Sequence, residues 1–287
     1  MIHTEQQKAL LEWWNTSHRD LPWRRTRDPW SVMVSELMLQ QTQVSRVVPK
    51  YLHFMTKFPT PQECSQAPVS AIIEEWEGLG YNRRAINLHR ASQVLVEKHS
   101  GKVPNSLPPL LELPGIGPYT ARAILCFAFE EDLGVVDVNT SRVIARITGE
   151  VLSPQVLQER ADSFVPEGQG WTWNQALMDL GSGVCRSRTV DCSNCPLENS
   201  CQWKGEGPDP GKRKIPSSHK ARRFEGSDRQ GRGKLINTLR KRSVALSELE
   251  EVMGWTGDLE RCRRVLQGLV KDGLVECNGE KEYSLPT

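Results

Sequence analysis

Two carboxylates and a run of cysteines are the side chains of this 287-residue chain whose settings could do chemistry. Glu36 lies in VMVSELMLQQTQV, an otherwise apolar helical stretch in which poor solvation favours the protonated acid. Asp137 lies in GVVDVNTSRVIAR, just ahead of a predicted helix whose free amides keep a carboxylate ionised. An acid that protonates a leaving group, and an anion that faces the cation left behind, are what cleavage of a glycosidic bond requires. Taken singly, each has a plain structural reading as well: Glu36 as a satisfied buried acid, Asp137 as a helix N-cap. The cysteines at 185, 192, 195 and 201 form a Cys-x6-Cys-x2-Cys-x5-Cys array within 17 residues. Four thiolates this close suit tetrahedral zinc or an iron–sulfur cluster, and spacing alone does not choose between them. Arg186 and Arg188, inside the loop the array closes, are cations that could meet phosphate. Cys64, Cys126, Cys262 and Cys277 have no partner at metal spacing and read as core or surface thiols.

The element that must position these groups is Leu113-Pro-Gly-Ile-Gly-Pro-Tyr-Thr-Ala121, with Asp137 sixteen residues beyond its end. Gly115 and Gly117 are expected in backbone conformations closed to other residues, leaving no side chain in the way. A helix starting at Tyr119 or Thr120 then points its free amides back at the turn, a setting suited to a phosphate. Around this hairpin the chain reads as helices: residues 1–20, a loop at Leu21-Pro-Trp-Arg24, then helical spacing from Trp30 to Tyr51. Gln41 and Thr42 fall at a break in that stretch, which puts polar side chains at a helix end rather than in a core. Pro59 to Pro68 reads as a connector and Ser70 to Trp76 as helix. Gly78-Leu-Gly-Tyr81 reads as a second tight turn before a helix running to about His99. A helix over Asn174 to Gly181 leads into the cysteines.

Composition narrows the classes. Hydrophobic residues make up 38% of the chain, and no apolar run reaches the ~20 residues of a membrane span. The start, MIHTEQQKALLEWW, lacks the basic and apolar regions of a signal peptide, so a cytoplasmic, nucleoid-associated protein is expected, without membrane partners. In such a compartment a disulfide framework is not expected. Net charge is only +2, but Gly205 to Arg242 holds twelve Lys/Arg against four Asp/Glu, dense enough to run along phosphates.

The pattern hhxLPGIGxxTAxxI with its following carboxylate resembles the helix-hairpin-helix-Gly/Pro-Asp signature of DNA glycosylases. The cysteine spacing is similar to the array that holds a 4Fe–4S cluster in the endonuclease III and MutY branches. Over residues 5–204 the chain resembles the MutY adenine DNA glycosylases, and the short tail is like that of actinobacterial members. The resemblance implies an all-α, two-lobed fold: 21–134 a six-helix barrel lobe with the hairpin, 1–20 and 135–204 the cluster lobe. Residues 205–231 read as a basic linker; helices over Gly233–Arg240, Leu246–Met253 and Leu259–Asp272 follow, then a small hairpin around Asn278-Gly279, an order over 232–287 that resembles a winged helix. The glycosylase resemblance implies a monomeric, monofunctional enzyme that excises adenine mispaired with 8-oxoguanine or guanine in double-stranded DNA.

On the same resemblance Glu36 protonates the imidazole-ring nitrogen of adenine, Asp137 stabilises the oxocarbenium ion or traps it, and Asn139 orients these groups and the water. Tyr119 stands where bifunctional relatives carry a Schiff-base lysine, so no strong lyase step is expected. Gln41 and Tyr81 match the wedge into the duplex. Trp23, Arg24, Leu39 and Gln175, with Thr42, match the adenine pocket, and Gly115 and Gly117 the amides on the DNA backbone. Cys185, Cys192, Cys195 and Cys201 match the 4Fe–4S ligands. Two departures stand out: Asn82 replaces a second aromatic after the wedge Tyr, and the usual Nudix-like domain is not evident. The tail and basic arm are therefore expected to supply opposite-base reading or DNA affinity. The competing readings are a thymine or other mismatch glycosylase of the same fold, and a non-catalytic iron–sulfur DNA-binding protein.

Overall fold

The computed structural model describes residues 4–212, 223–279 and 281–287. The densest part of the basic linker, 213–222, lies outside the described residues. The chain is mostly helical, as the periodicity predicts, and divides into two compact units. One comprises Met1–Met33, Asn105–Glu112 and Ile116–Ile215; the other Val34–Pro104, Leu113–Gly115 and Pro216–Thr287.

The first unit is built from α1 (Thr4–Ser17), the start of α2 (Pro29–Leu39), α7 (Leu107–Leu111), α8 (Pro118–Phe129), α9 (Val138–Thr148), α10 (Pro154–Ser163) and α11 (Gly170–Gly183). Amphipathic spacing in α9 turns Val143, Ile144 and Ile147 inward, where they meet Leu10 of α1 and Trp173 and Leu177 of α11. Leu197, inside the cysteine loop, joins the same core and ties that loop to the helices. Pro118 opens α8 one residue before the predicted start, because proline suits the first helical position.

The second unit holds the rest of α2 with α3 (Val44–Lys57), α4 (Pro61–Gln66), α5 (Val69–Glu75) and α6 (Arg83–His99). The helical stretch from Trp30 to Tyr51 is interrupted between Leu39 and Val44, at the Gln–Gln–Thr where the sequence predicts a break. The predicted connector around Pro61 forms the short helix α4, with Thr60 ahead of it and proline in its first turn.

The tail belongs to this second unit. It runs α12 (Asp228–Leu239), strand β1 (Val244–Ala245), α13 (Leu249–Met253), α14 (Leu259–Lys271), β2 (Glu276–Asn278) and β3 (Glu282–Ser284). The strands form an antiparallel sheet in the order β1–β3–β2, which with three helices is the winged-helix arrangement. The two-residue β1 has no sequence signature and was not anticipated. Leu235, Ile236, Leu266 and Leu269 share one core with Ile73 of α5 and Ile86 of α6. Arg240 donates to the Ile73 carbonyl at 3.0 Å, and the Pro286 carbonyl accepts from the Ser70 amide at 2.9 Å. Among the described residues no helix is long and apolar enough to cross a membrane.

Candidate active site and cysteine loop

Asp137 caps the N-terminus of α9. Its Oδ1 accepts from the amides of Asn139 at 2.9 Å and Thr140 at 2.6 Å, two of the donors every helix start leaves unsatisfied. Its Oδ2 accepts from Asn139 Nδ2 at 3.0 Å. Asn139 Oδ1 accepts from Arg142 Nη2 at 2.9 Å, and Arg142 also donates to the carbonyls of Gly181 at 2.6 Å and Cys185 at 3.0 Å. A chain of hydrogen bonds therefore joins the carboxylate to the peptide of the first cysteine. The segment entering Asp137 is held by Asn174 of α11, whose Oδ1 takes the Val135 amide at 2.7 Å while its Nδ2 donates to the Leu133 carbonyl at 2.8 Å. Val138, the first residue of α9, is apolar and 73% exposed beside the carboxylate.

Glu36 sits in the middle of α2, 6% exposed, with Met33, Val34, Leu37 and Met38 of the same helix fully buried. The buried, apolar setting predicted for it is present. Tyr119 is half-buried in the first turn of α8. In the turn before it Gly115 has φ +82°, and an added Cβ would lie 2.7 Å from Cβ of Asn87, so only glycine fits. Gly117 corrects the sequence reading: its φ of −97° with ψ 177° is open to any residue. Space, rather than conformation, distinguishes it, since a Cβ there would meet no protein atom within 4 Å.

Gln41 and Tyr81 occupy the tips of two turns of the second unit, both in left-handed conformations, φ +56° and +48°, that non-glycine residues seldom adopt. One buried side chain holds both turns. Arg84, opening α6, donates to the carbonyls of Leu37 (2.7 Å) and Met38 (2.9 Å) at the end of α2 and to Thr42 Oγ1 (2.9 Å). It also donates to the carbonyls of Leu79 (3.3 Å) and Gly80 (3.0 Å) in the second turn. Thr42 in turn donates to the Leu79 carbonyl at 3.0 Å. Burial pulls the Arg84 guanidinium down to about 10, still far above neutrality, so it is a cation. Sequence reasoning missed Arg84; the only hint was an arginine directly after a glycine turn.

The other predicted pocket residues distribute as follows. Trp23 is buried and Arg24 follows it in a single helical turn, Pro22–Arg24. Arg24 is clamped to Asp179 of α11 by two bonds, 2.7 and 2.9 Å, and Asp179 also accepts from Arg19 (2.7 Å) and Trp14 (3.0 Å). Burial pushes the Asp179 carboxyl up, but Arg24 and Arg19 outweigh it and hold the group below its ordinary value. Gln175 is buried on α11, and Leu39 is half-buried at the end of α2. Asp179 and Asn174 are the further residues that sequence reasoning did not find.

Cys185, Cys192, Cys195 and Cys201 line one cavity in the first unit. No three His, Cys, Asp or Glu side chains among the described residues converge on a single ion. Four thiols around one cavity are a donor set that fits zinc or an iron–sulfur cluster. Burial pushes the Cys195 thiol up to about 11, and burial with the neighbouring thiols raises Cys192. Arg146, buried and paired with Asp209, donates to Cys185 Sγ at 3.2 Å. The remaining cysteines follow expectation: Cys64, Cys126 and Cys262 are buried, and Cys277 is exposed.

This geometry sits in a recognisable context. The profile described as HhH-GPD superfamily base excision DNA repair protein matches residues 34–166. The chain is 37% identical to an adenine DNA glycosylase of Mycobacterium tuberculosis, covering 96% of this chain and 92% of that one, tail included. It is 38% identical to a human adenine DNA glycosylase over 68% of this chain and 38% of that one. Among solved structures, a thermostable thymine-DNA glycosylase superposes with TM-score 0.67 at 32% identity over 70% of this chain and 97% of its own. The helix-hairpin-helix, the capping aspartate and the cysteine loop thus define a DNA glycosylase of the base-excision class. Within that class the chain belongs to the MutY-type adenine DNA glycosylase family.

Proposed function

We propose that this chain hydrolyses the N-glycosidic bond of adenine mispaired with 8-oxoguanine or guanine in duplex DNA, as a monomer, and leaves an abasic site without cutting the strand. The observation that carries this reading is the Asp137 carboxylate, fixed by two amides and by Asn139 in a family whose chemistry needs a fixed anion. The target nucleotide first leaves the stack, since its bond is out of reach inside the duplex. Glu36 donates its proton to the imidazole ring of the base, and the carbon–nitrogen electron pair leaves with it. Asp137 faces the sugar cation, Asn139 orients that carboxylate and a water, and the water adds to the anomeric carbon and gives up a proton that restores Glu36. Tyr119 supplies no amine, so no Schiff base forms. Trp23, Arg24, Leu39, Thr42 and Gln175 line the base pocket in this reading, Gln41 and Tyr81 fill the vacated stack, and the amides at Gly115 and Gly117 hold the backbone.

Cys185, Cys192, Cys195 and Cys201 would hold a 4Fe–4S cluster, which when bound fixes the loop carrying Arg186 and Arg188 and leaves hydrolysis to the carboxylates. The lobe of residues 21–134 carries Glu36 and the hairpin, and the lobe of 1–20 and 135–204 carries Asp137 and the cysteines. Residues 205–231 are then a basic linker to the winged helix of 232–287, on a protein acting at the nucleoid.

The test is base release from adenine·8-oxoguanine, adenine·guanine and thymine·guanine duplexes, with and without alkali. Wild type is expected to release adenine, with strand breaks only after alkali. Asp137→Asn keeps a capping side chain and is expected to lose base release by at least about 10²-fold, and Glu36→Gln by about 10²–10⁴-fold. Thymine release without adenine release would assign the chain to the mismatch branch instead. Unchanged activity in Asp137→Asn would remove the carboxylate from the chemistry.

A further inference from the structure

The second unit contains a cavity of about 760 Å³ whose two walls come from distant parts of the sequence. One wall is the pair of turns held by Arg84, presenting Gln40, Gln41 and Tyr81. The other is the chain entering α12 and the first turns of that helix, presenting Phe224, Arg229 and Arg232. The walls touch: Arg229 Nη1 donates to the Tyr81 hydroxyl at 3.2 Å and lies 5.0 Å from the Phe224 ring centroid. Tyr81 is thereby held from two sides, because Arg84 lies 5.7 Å from its ring centroid. Both aromatic rings are nonetheless open, Tyr81 at 44% and Phe224 at 54% exposure. Charge within the cavity is not balanced. Asp272 pairs with Arg232 and Arg83, while Arg229 and Arg46 have no ion-pair partner among the described residues.

These features select one class of ligand. A volume of this size takes a mononucleotide-sized group. The Gln41 side-chain amide offers a donor and an acceptor for a base edge, open rings stack on a base face, and arginines without an ion-pair partner suit phosphate. A nucleotide whose partner has been drawn out of the stack presents just such an unpaired edge.

We infer that this cavity holds the orphaned nucleotide of the strand facing the excised base, with Phe224, just ahead of α12, and Arg229, in its first turn, as specificity-determining contacts. The inference rests on the reading of the chain as an adenine glycosylase. This second wall thus reads the mispair, and Arg229 also fixes the pose of Tyr81.

The experiment measures the Kd of the full-length protein, and of Phe224→Ala and Arg229→Ala, for duplexes carrying a base-free analogue at the excised position. The facing nucleotide is 8-oxoguanine, guanine, or itself base-free, at one fixed salt concentration. Each variant is expected to bind about 10-fold more weakly when the facing base is present, and no more than about 2-fold more weakly when it is absent. Gln267→Ala, exposed on α14 outside the cavity, is expected to match wild type. Equal weakening with and without the base would reduce the site to a backbone contact and overturn the inference, as would no weakening at all. Both substituted side chains are exposed, so unchanged melting temperatures are expected for the two variants. Adenine release by wild type is scored separately. Release without a base-dependent loss in the variants sinks the cavity alone; base-dependent loss without adenine release sinks the hydrolysis and leaves the cavity standing.

Discussion

The two units fix their turns with hubs of opposite sign. In the first, the buried Asp179 carboxylate gathers donors from Trp14, Arg19 and Arg24. In the second, the buried Arg84 guanidinium distributes its donors over four carbonyls and a hydroxyl. A carboxylate hub can be switched off by a proton, whereas a guanidinium remains charged throughout the accessible pH range. The difference also shows in backbone strain. Asp137 caps its helix in an ordinary extended conformation, whereas the turns around Arg84 hold Gln41 and Tyr81 in left-handed ones. The first arrangement suits a group that must stay where a charge develops. The second suits side chains pushed outward at the tips of turns.

The comparison breaks most sharply at Arg84. Arg84→Met keeps the bulk but strands acceptors at the end of α2 and in the 78–81 turn, and is expected to cost about 4 kcal/mol in urea unfolding. A loss below about 1 kcal/mol would show that the turns hold themselves. Next comes Asp179→Asn, which leaves two arginines facing a neutral amide and is expected to cost about 3 kcal/mol at neutral pH. The sign of its pH dependence follows from the lowered carboxyl. Its stabilisation is complete above the unfolded value near 4 and fades as pH falls through the lower folded value. Wild type should therefore lose stability faster than Asp179→Asn between about pH 4 and pH 2; parallel curves would discount the hub. The smallest effect is expected at Gln41→Gly. Relief of left-handed strain offsets the greater freedom of the unfolded chain, so stability should move by less than about 1 kcal/mol. Affinity for mispaired duplex should fall all the same, and an unchanged affinity would mean that the strain at that tip serves nothing.

What was legible in the sequence was local. Glycine turns, the capping aspartate, the cysteine array and the helical periods each declare themselves within a few residues. The winged-helix tail could be read from its helix–helix–hairpin order around Asn278-Gly279. What was not legible depends on partners far apart in the chain. Arg84 reaches back 47 positions to Leu37, and Asp179 lies 155 positions beyond Arg24, so neither leaves a short-range pattern. Strand β1 exists because β3 pairs with it, not because two residues prefer to be extended. Gly117 was misjudged for a related reason: a glycine in sequence does not say that its backbone angle is special, and here neither the angle nor the protein around it excludes a side chain.

The common core of the tail with Ile73 and Ile86 has a practical corollary. A chain shortened before α12 would come out with a bare greasy strip along α5 and α6, prone to self-association. Any fall in DNA affinity after such trimming would mix lost contacts with clumping. The tail is thus built into the body of the enzyme, and its part in recognition is separable only one side chain at a time.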